Sequence, residues 1–138
     1  MAIIPYGRRT DRVHKLTMGA AAITSVASLV YFYHIGAVTA FADGQSRLII
    51  ARGLYDSLTN GIAQAGLIWL PMPQFMMFLT AQIDSLYYTG LSGSIMSMPW
   101  FLVMVWYLYR LTRLFTGSSR AAFIAVMASI TPSLLYIS

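Results

Sequence analysis

Long runs of residues without charge alternate with short charged segments along this chain. The first run, residues 16–42, contains no Asp, Glu, Lys or Arg, and further uncharged runs cover residues 57–83 and 85–109 and begin again at Ala121. A helix rises about 1.5 Å per residue, so a run as long as residues 16–42 can cross a hydrocarbon layer about 30 Å thick. The pattern predicts an integral membrane protein.

The positions of Lys and Arg indicate which runs cross the membrane. Residues 1–15 carry Arg8, Arg9, Arg12 and Lys15, and residues 110–120 carry Arg110, Arg113 and Arg120. Basic segments beside a span stay in the cytoplasm, so both segments belong on the inner face. We therefore predict three spans, at residues 16–42, 89–109 and 121–138, in the cell (inner) membrane with a cytoplasmic N-terminus.

The run at residues 57–83 is then not a span, and its own residues agree with this. Pro71 and Pro73 interrupt a continuous helix near its middle, and Gln64, Gln74 and Gln82 interrupt its apolar surface. We expect residues 43–88 to form a cap on the outer face, amphipathic or re-entrant, between the first and second spans. The predicted fold is a single all-α membrane domain with three transmembrane helices.

Composition supports the membrane interpretation and excludes several functions. Hydrophobic residues make up 58% of the chain and charged residues 9%, against roughly 25% charged in soluble domains. The chain has no Cys and only two His, so thiolate and catalytic zinc sites are not expected, and we predict no metal and no cofactor. The net charge of +5 lies beside apolar runs, which indicates topology and not nucleic-acid binding.

The chemistry is concentrated in the polar segment after the first span. Three of the four acids, Asp43, Asp56 and Asp84, fall there together with Arg47 and Arg52. Residues 44–58 have the spacing of an amphipathic helix lying along the outer surface. Its predicted apolar side consists of Leu48, Ala51, Leu54, Tyr55 and Leu58.

Each polar candidate has a structural and a functional interpretation. Asp43 can be the N-cap of the predicted helix, or a carboxylate base that deprotonates a substrate hydroxyl at the membrane face. Arg47 and Arg52 can bind the phosphate of a lipid carrier, or contact lipid headgroups and Asp56. His34, deep in the first predicted span, can be a proton relay or an interhelical hydrogen-bonding group.

The order of short motifs resembles the N-terminal part of GT-C-type polytopic glycosyltransferases, the protein mannosyltransferase and aminoarabinose transferase-like enzymes. The motifs are Asp43-Gly44, Ala51-Arg52, Tyr55-Asp56-Ser57, Asn60-Gly61, Gln64-Ala65-Gly66 and Trp69-Leu70-Pro71-Met72-Pro73, followed by the segment 89–94 and the closing segment 131–136. The resemblance implies that Asp43 is the general base of an inverting transfer from a polyprenyl-phosphate sugar. It also implies further spans, so we expect this module to need a partner membrane chain or a C-terminal remainder.

An alternative hypothesis is a non-catalytic accessory subunit of a larger membrane complex. Its docking surface would be a face of the first helix rich in small residues: Gly19, Ala20, Ala22, Ile23 and Ala27. A channel has less support, because His34 is the one ionisable residue inside the predicted spans other than Tyr. Both leading hypotheses predict a membrane partner.

Overall fold

The computed structural model describes residues 8–40, 42–58, 61 and 72–130, and the regular structure in these ranges is helical. These described ranges contain six helices: α1 (Arg8–His34), α2 (Ala42–Gly53), α3 (Met72–Ala81), α4 (Asp84–Tyr88), α5 (Leu91–Thr116) and α6 (Ser119–Ser129). The prediction of an all-helical fold is confirmed for these residues.

Among the described residues, two helices are long and apolar enough to cross a membrane. They are Arg12–His34, within α1, and Leu91–Thr116, which is α5. The structure describes the predicted third span, residues 121–138, only up to Ile130. Up to Ser129, this part of the span belongs to the short apolar helix α6. The predicted closing motif at 131–136 lies outside the described residues.

The first helix ends earlier than its uncharged run. We predicted a span to residue 42, but α1 ends at His34 because Gly36 adopts a left-handed conformation with φ of 66°. The amide of Ala37 donates to the carbonyl of Phe32 at 2.9 Å, and the amide of Gly36 donates to Tyr33, which together form a Schellman stop. His34 is thus the exposed last residue of α1 and lies at the end of the candidate span, not in its interior.

The predicted basic loop at residues 110–120 is mostly helix. Arg110 and Arg113 lie on the last turns of α5, where a cation is favourable to the helix dipole. The break comes at Gly117, with φ of 66°, and at Ser118, whose hydroxyl caps α6 by accepting the amide of Ala121 at 3.3 Å. Arg has high helix propensity, so the end of an apolar run did not mark the end of a helix.

The amphipathic helix predicted at residues 44–58 is shorter than expected. It is α2, which ends at Gly53. Leu48, Ala51 and Leu54 are buried as predicted, whereas Tyr55 is 66% exposed and Leu58 is fully exposed. The chain turns after Gly53, so those two side chains no longer follow the helical repeat.

The predicted interruption at Pro71 and Pro73 is seen only in part. Pro73 lies in the first turn of α3, where a proline removes no intrahelical hydrogen bond, and Gln74 is fully buried. Gln64, Trp69, Leu70 and Pro71 lie outside the described residues. The cap is therefore helical at residues 72–81.

The contacts divide the chain into two units, one within Met1–Ser28 and Pro99–Ser138 and the other within Leu29–Met98. The core of the first unit consists of Ala21, Phe101, Val105, Tyr109, Ala122 and Val126. The face of α1 that is buried carries Thr17, Ala21 and Ser25, spaced one turn apart. These small side chains let helices approach closely.

The direction of packing in the first unit follows from one aromatic contact. The ring of His14 lies edge-on to the ring of Tyr109, with centroids 4.9 Å apart. The N-terminal part of α1 is thus beside the C-terminal part of α5.

The second unit is built around α2 and α3. Leu48, Ala51, Met77 and Ala81 form its buried cluster, with Tyr87 and Met96 packed against it. The side-chain amide of Gln82 donates to the carbonyl of Ala51 at 3.4 Å, and the hydroxyls of Thr80 and Ser92 are 2.7 Å apart. Polar contacts therefore reinforce this cluster.

Gly90 is the position where the second unit depends most on the absence of a side chain. It is buried, has φ of 74°, and an added Cβ would clash with Cγ2 of Thr39 and lie 3.1 Å from Cγ1 of Val38. A side chain there meets both backbone strain and a steric clash.

We predict that Gly90→Ala destabilises the protein by about 1–3 kcal/mol, because a left-handed non-glycine residue costs energy of this order. The midpoint of thermal unfolding in detergent measures it. Gly19→Ala is the control, since Gly19 lies in α1 with nothing within 4 Å of an added Cβ. Equal midpoints for the two variants would contradict the prediction.

Candidate functional site

Asp43 lies in the first turn of α2, inside the helix and not at its N-cap position. A carboxylate in the first turn is favourable to the helix dipole. Its Oδ2 accepts a hydrogen bond from Nε of Arg47 at 3.0 Å, one turn later. Both side chains are partly buried, at 30% exposed for Asp43 and 24% for Arg47. The pair therefore fixes the carboxylate against its own helix.

The second carboxylate oxygen of Asp43 has a different environment. Oδ1 is buried and has no hydrogen-bond partner among the described residues. A buried acceptor without a donor is unfavourable by about 1–3 kcal/mol. Oδ1 therefore accepts no backbone amide, but it is shielded, so a substrate hydroxyl reaches it only when the neighbouring side chains move.

Arg52, near the other end of α2, is the centre of a second polar cluster. Its Nη2 donates to Oδ1 of Asp84 at 2.6 Å, and its Nε donates to Oδ2 of Asp56 at 3.2 Å. The guanidinium carbon lies 4.4 Å from the ring centroid of Tyr87 and 5.6 Å from that of Tyr88. One side chain thus connects α2 to α4.

The hydrogen bond to Asp84 raises the pKa of Arg52 above that of free arginine, and burial opposes this to a smaller extent. A raised pKa means that the folded state holds the proton more tightly than the unfolded chain does. The charged Arg52 side chain contributes its full stabilisation of the folded state at pH values below the ordinary arginine pKa. This stabilisation is lost only as the pH rises through the raised pKa of the folded state. The guanidinium is therefore charged at every pH at which the protein works.

A half-open cavity of about 560 Å³ lies beside this cluster. Its walls include Arg52, Asp56, Tyr87, Tyr88 and Ile49, and they combine charge, aromatic rings and an aliphatic side. The cavity is open on one side, so these groups form a shallow surface that combines charge with aromatic and aliphatic side chains.

The structure brings some of the predicted site residues together and keeps others apart. Asp43 contacts Arg47. Arg52 is near the opposite end of α2, nine residues after Asp43, which corresponds to about 13 Å along the helix axis at 1.5 Å per residue. Each guanidinium already faces a carboxylate, Asp43 for Arg47 and the Asp56 and Asp84 pair for Arg52. A phosphate would have to compete with these partners.

Tyr87 and Tyr88 were missed by the sequence analysis. Together with Asp84 they stand at positions i, i+3 and i+4, which place side chains on neighbouring positions of one helical turn. That spacing was the available signal. Of the remaining candidates, His34 stacks edge-on to Tyr33 at 6.3 Å, and the described ranges bring no three His, Asp or Glu together around a point.

No protein-family model matches this chain, and no curated protein or solved structure is significantly similar to it. The resemblance to GT-C-type transferases stays a prediction from the sequence.

We predict that Arg52→Gln speeds amide hydrogen exchange in α4, because two carboxylates are then left without their common cation. Mass spectrometry of exchanged peptides from the detergent-solubilised protein measures this. Arg47→Gln is the matched control: it removes the same group from the same helix but breaks a contact inside α2. Equal exchange rates of α4 in both variants would refute the linkage.

Proposed function

We propose that this chain is a membrane module of a GT-C-like glycosyltransferase that transfers a sugar from a polyprenyl-phosphate donor to a hydroxyl group of an acceptor. The observation that carries the proposal is the Asp43 carboxylate, with one oxygen held by Arg47 and the other buried without a donor in the described part of the chain. A general base needs a fixed carboxylate with a free acceptor position.

In the proposed reaction the side chains that cover Oδ1 of Asp43 move aside, and the acceptor hydroxyl donates to this oxygen. As that proton passes to the carboxylate, the hydroxyl oxygen forms a bond to the anomeric carbon of the sugar. The bond from the anomeric carbon to the phosphate oxygen breaks at the same time, and the polyprenyl phosphate leaves with the electron pair, so the configuration inverts. Arg47 holds Oδ2 and fixes the direction in which Oδ1 points.

The roles proposed for the two arginines differ. Arg47 acts on Asp43 and takes part in phosphate binding only if the donor displaces that carboxylate. Arg52 lines the cavity and meets a phosphate only in exchange for Asp56 or Asp84. Phosphate binding by these residues thus requires a rearrangement when the donor enters.

The proposed membrane arrangement is that of three spans in the cell membrane, with α1 and α5 as the first two. The N-terminus and the α5–α6 junction lie on the cytoplasmic side, and residues 43–88 lie outside. Two long apolar helices and the basic residues beside them support this arrangement. Further spans, from a partner membrane chain or from the same polypeptide, enclose the lipid-linked donor.

A second candidate is the accessory subunit, and one observation favours it. On α1 the predicted docking residues Gly19, Ile23 and Ala27 are exposed and stand four residues apart, so they lie on one face of the helix. Small residues on such a face let a neighbouring helix approach closely. Purification in mild detergent, followed by mass spectrometry of co-purifying chains, separates a transferase partner from an unrelated complex.

Single cysteines test the membrane arrangement cleanly, because the chain has no Cys of its own. Both positions chosen, Ser85 on α4 and Thr116 at the end of α5, are exposed. In intact cells a membrane-impermeant maleimide should label Ser85→Cys, whereas Thr116→Cys should react only after permeabilisation. Labelling of both in intact cells would contradict their placement on opposite sides.

We predict that Asp43→Asn lowers sugar transfer by about 10²–10⁴-fold, because an amide cannot accept the hydroxyl proton. The assay follows a labelled sugar from its polyprenyl phosphate to acceptor in membranes that contain the chain and its co-purifying partners. Asp56→Asn is the matched control: Asp56 is 64% exposed and Arg52 keeps Asp84 when it is lost. Full transfer by Asp43→Asn would exclude the proposed base.

A further inference from the structure

One end of the first unit collects most of the positive charge of the chain. Because His14 contacts Tyr109, the start of α1 and the end of α5 lie side by side. The chain segments of this unit contain seven of the nine Lys and Arg but only one of the four Asp. The described basic side chains are Arg12, Lys15, Arg110 and Arg120, which are exposed, and Arg113, which is partly buried.

The same end also exposes large apolar side chains. Leu111, Leu114 and Phe115 on the last turns of α5 are 53%, 62% and 80% exposed. One turn earlier, the guanidinium of Arg110 lies 5.4 Å from the ring centroid of Trp106. Basic groups next to exposed Leu, Phe and Trp form a surface that can contact anionic groups and hydrocarbon chains at the same time.

This combination identifies the chemistry of the partner. A nucleic acid or a soluble anion would neutralise the basic groups but would leave the apolar side chains in water. At the cytoplasmic face of a bilayer, anionic headgroups attract Lys and Arg, while Trp and apolar side chains lie in the interface and the acyl region. A lipid surface satisfies both sets of residues.

We propose that the basic end of the first unit, formed by Arg12, Lys15, Arg110, Arg113 and Arg120, binds the headgroups of anionic phospholipids. Arg110 and Arg120 contact lipid phosphates, and Leu111, Leu114 and Phe115 contact the acyl chains. This binding needs insertion in a bilayer but does not depend on sugar transfer.

The experiment is native mass spectrometry of the purified chain released from nanodiscs that contain equal amounts of phosphatidylglycerol and phosphatidylcholine. Retention of phosphatidylglycerol should exceed that of phosphatidylcholine. Each basic residue near an anionic surface contributes a factor of about five in affinity, so Arg110→Gln and Arg120→Gln should each lower this preference about fivefold and the double variant about 25-fold.

The controls separate charge, fold and the source of the phosphate. Arg110→Lys with Arg120→Lys should keep the preference, since the charge remains. Inorganic phosphate, compared with chloride at equal ionic strength, should not displace the lipid.

Three results would overturn the proposal. The first is equal retention of the two lipids by the unsubstituted chain. The second is a preference in the double glutamine variant as large as that of the unsubstituted chain. The third is displacement by inorganic phosphate, which would indicate a site for the free anion. Failure of the sugar-transfer assay would leave all of these outcomes unaffected.

Discussion

Packing of α1 against α5 is the constraint on which the first unit depends. In the proposed membrane arrangement, burying apolar side chains provides little driving force, so helices associate through van der Waals contact and hydrogen bonds. Ala21 is completely buried, as is Val105 of the same core, and the hydroxyl of Thr17 is satisfied internally by the carbonyl of Val13 at 2.8 Å. A small and self-satisfied α1 surface lets the larger side chains of α5 fit against it.

The second unit is stabilised by polar contacts in addition to apolar packing. Its helices are short, and α2 is polar on one side, so packing of Leu48, Ala51 and Met77 is supplemented by side-chain hydrogen bonds and ion pairs. Exposed ion pairs usually add little, but Arg52 contacts two carboxylates and an aromatic face at once and is mostly buried. Asp43 and Arg52 are thereby held on one helix in fixed but separate positions.

The sequence predicts much of the helical architecture and little of its boundaries. The uncharged runs predicted the positions of α1 and α5. The spacing of Leu48, Ala51 and Leu54 predicted the buried side of α2. Helix ends were misplaced because they depend on backbone conformation at Gly36 and Gly117, whereas the prediction followed the distribution of charge.

The candidate site was predicted to a similar extent. Arg47 and Asp43 stand one turn apart, so their contact follows from helical geometry. The contact between Arg52 and Asp84 joins residues that are 32 positions apart in the sequence. It depends on how α2, α3 and α4 pack, and a local sequence pattern does not predict that packing.

The sharing of Arg52 by two acids also sets an order in which this cluster can change during evolution. Either Asp56 or Asp84 can be replaced first, since the arginine keeps one anionic partner. Loss of Arg52 while both acids remain leaves two like charges facing each other without compensation. Lineages that abandon the cluster should therefore lose an acid before the arginine, and sequences with both acids but no cation at position 52 should be rare.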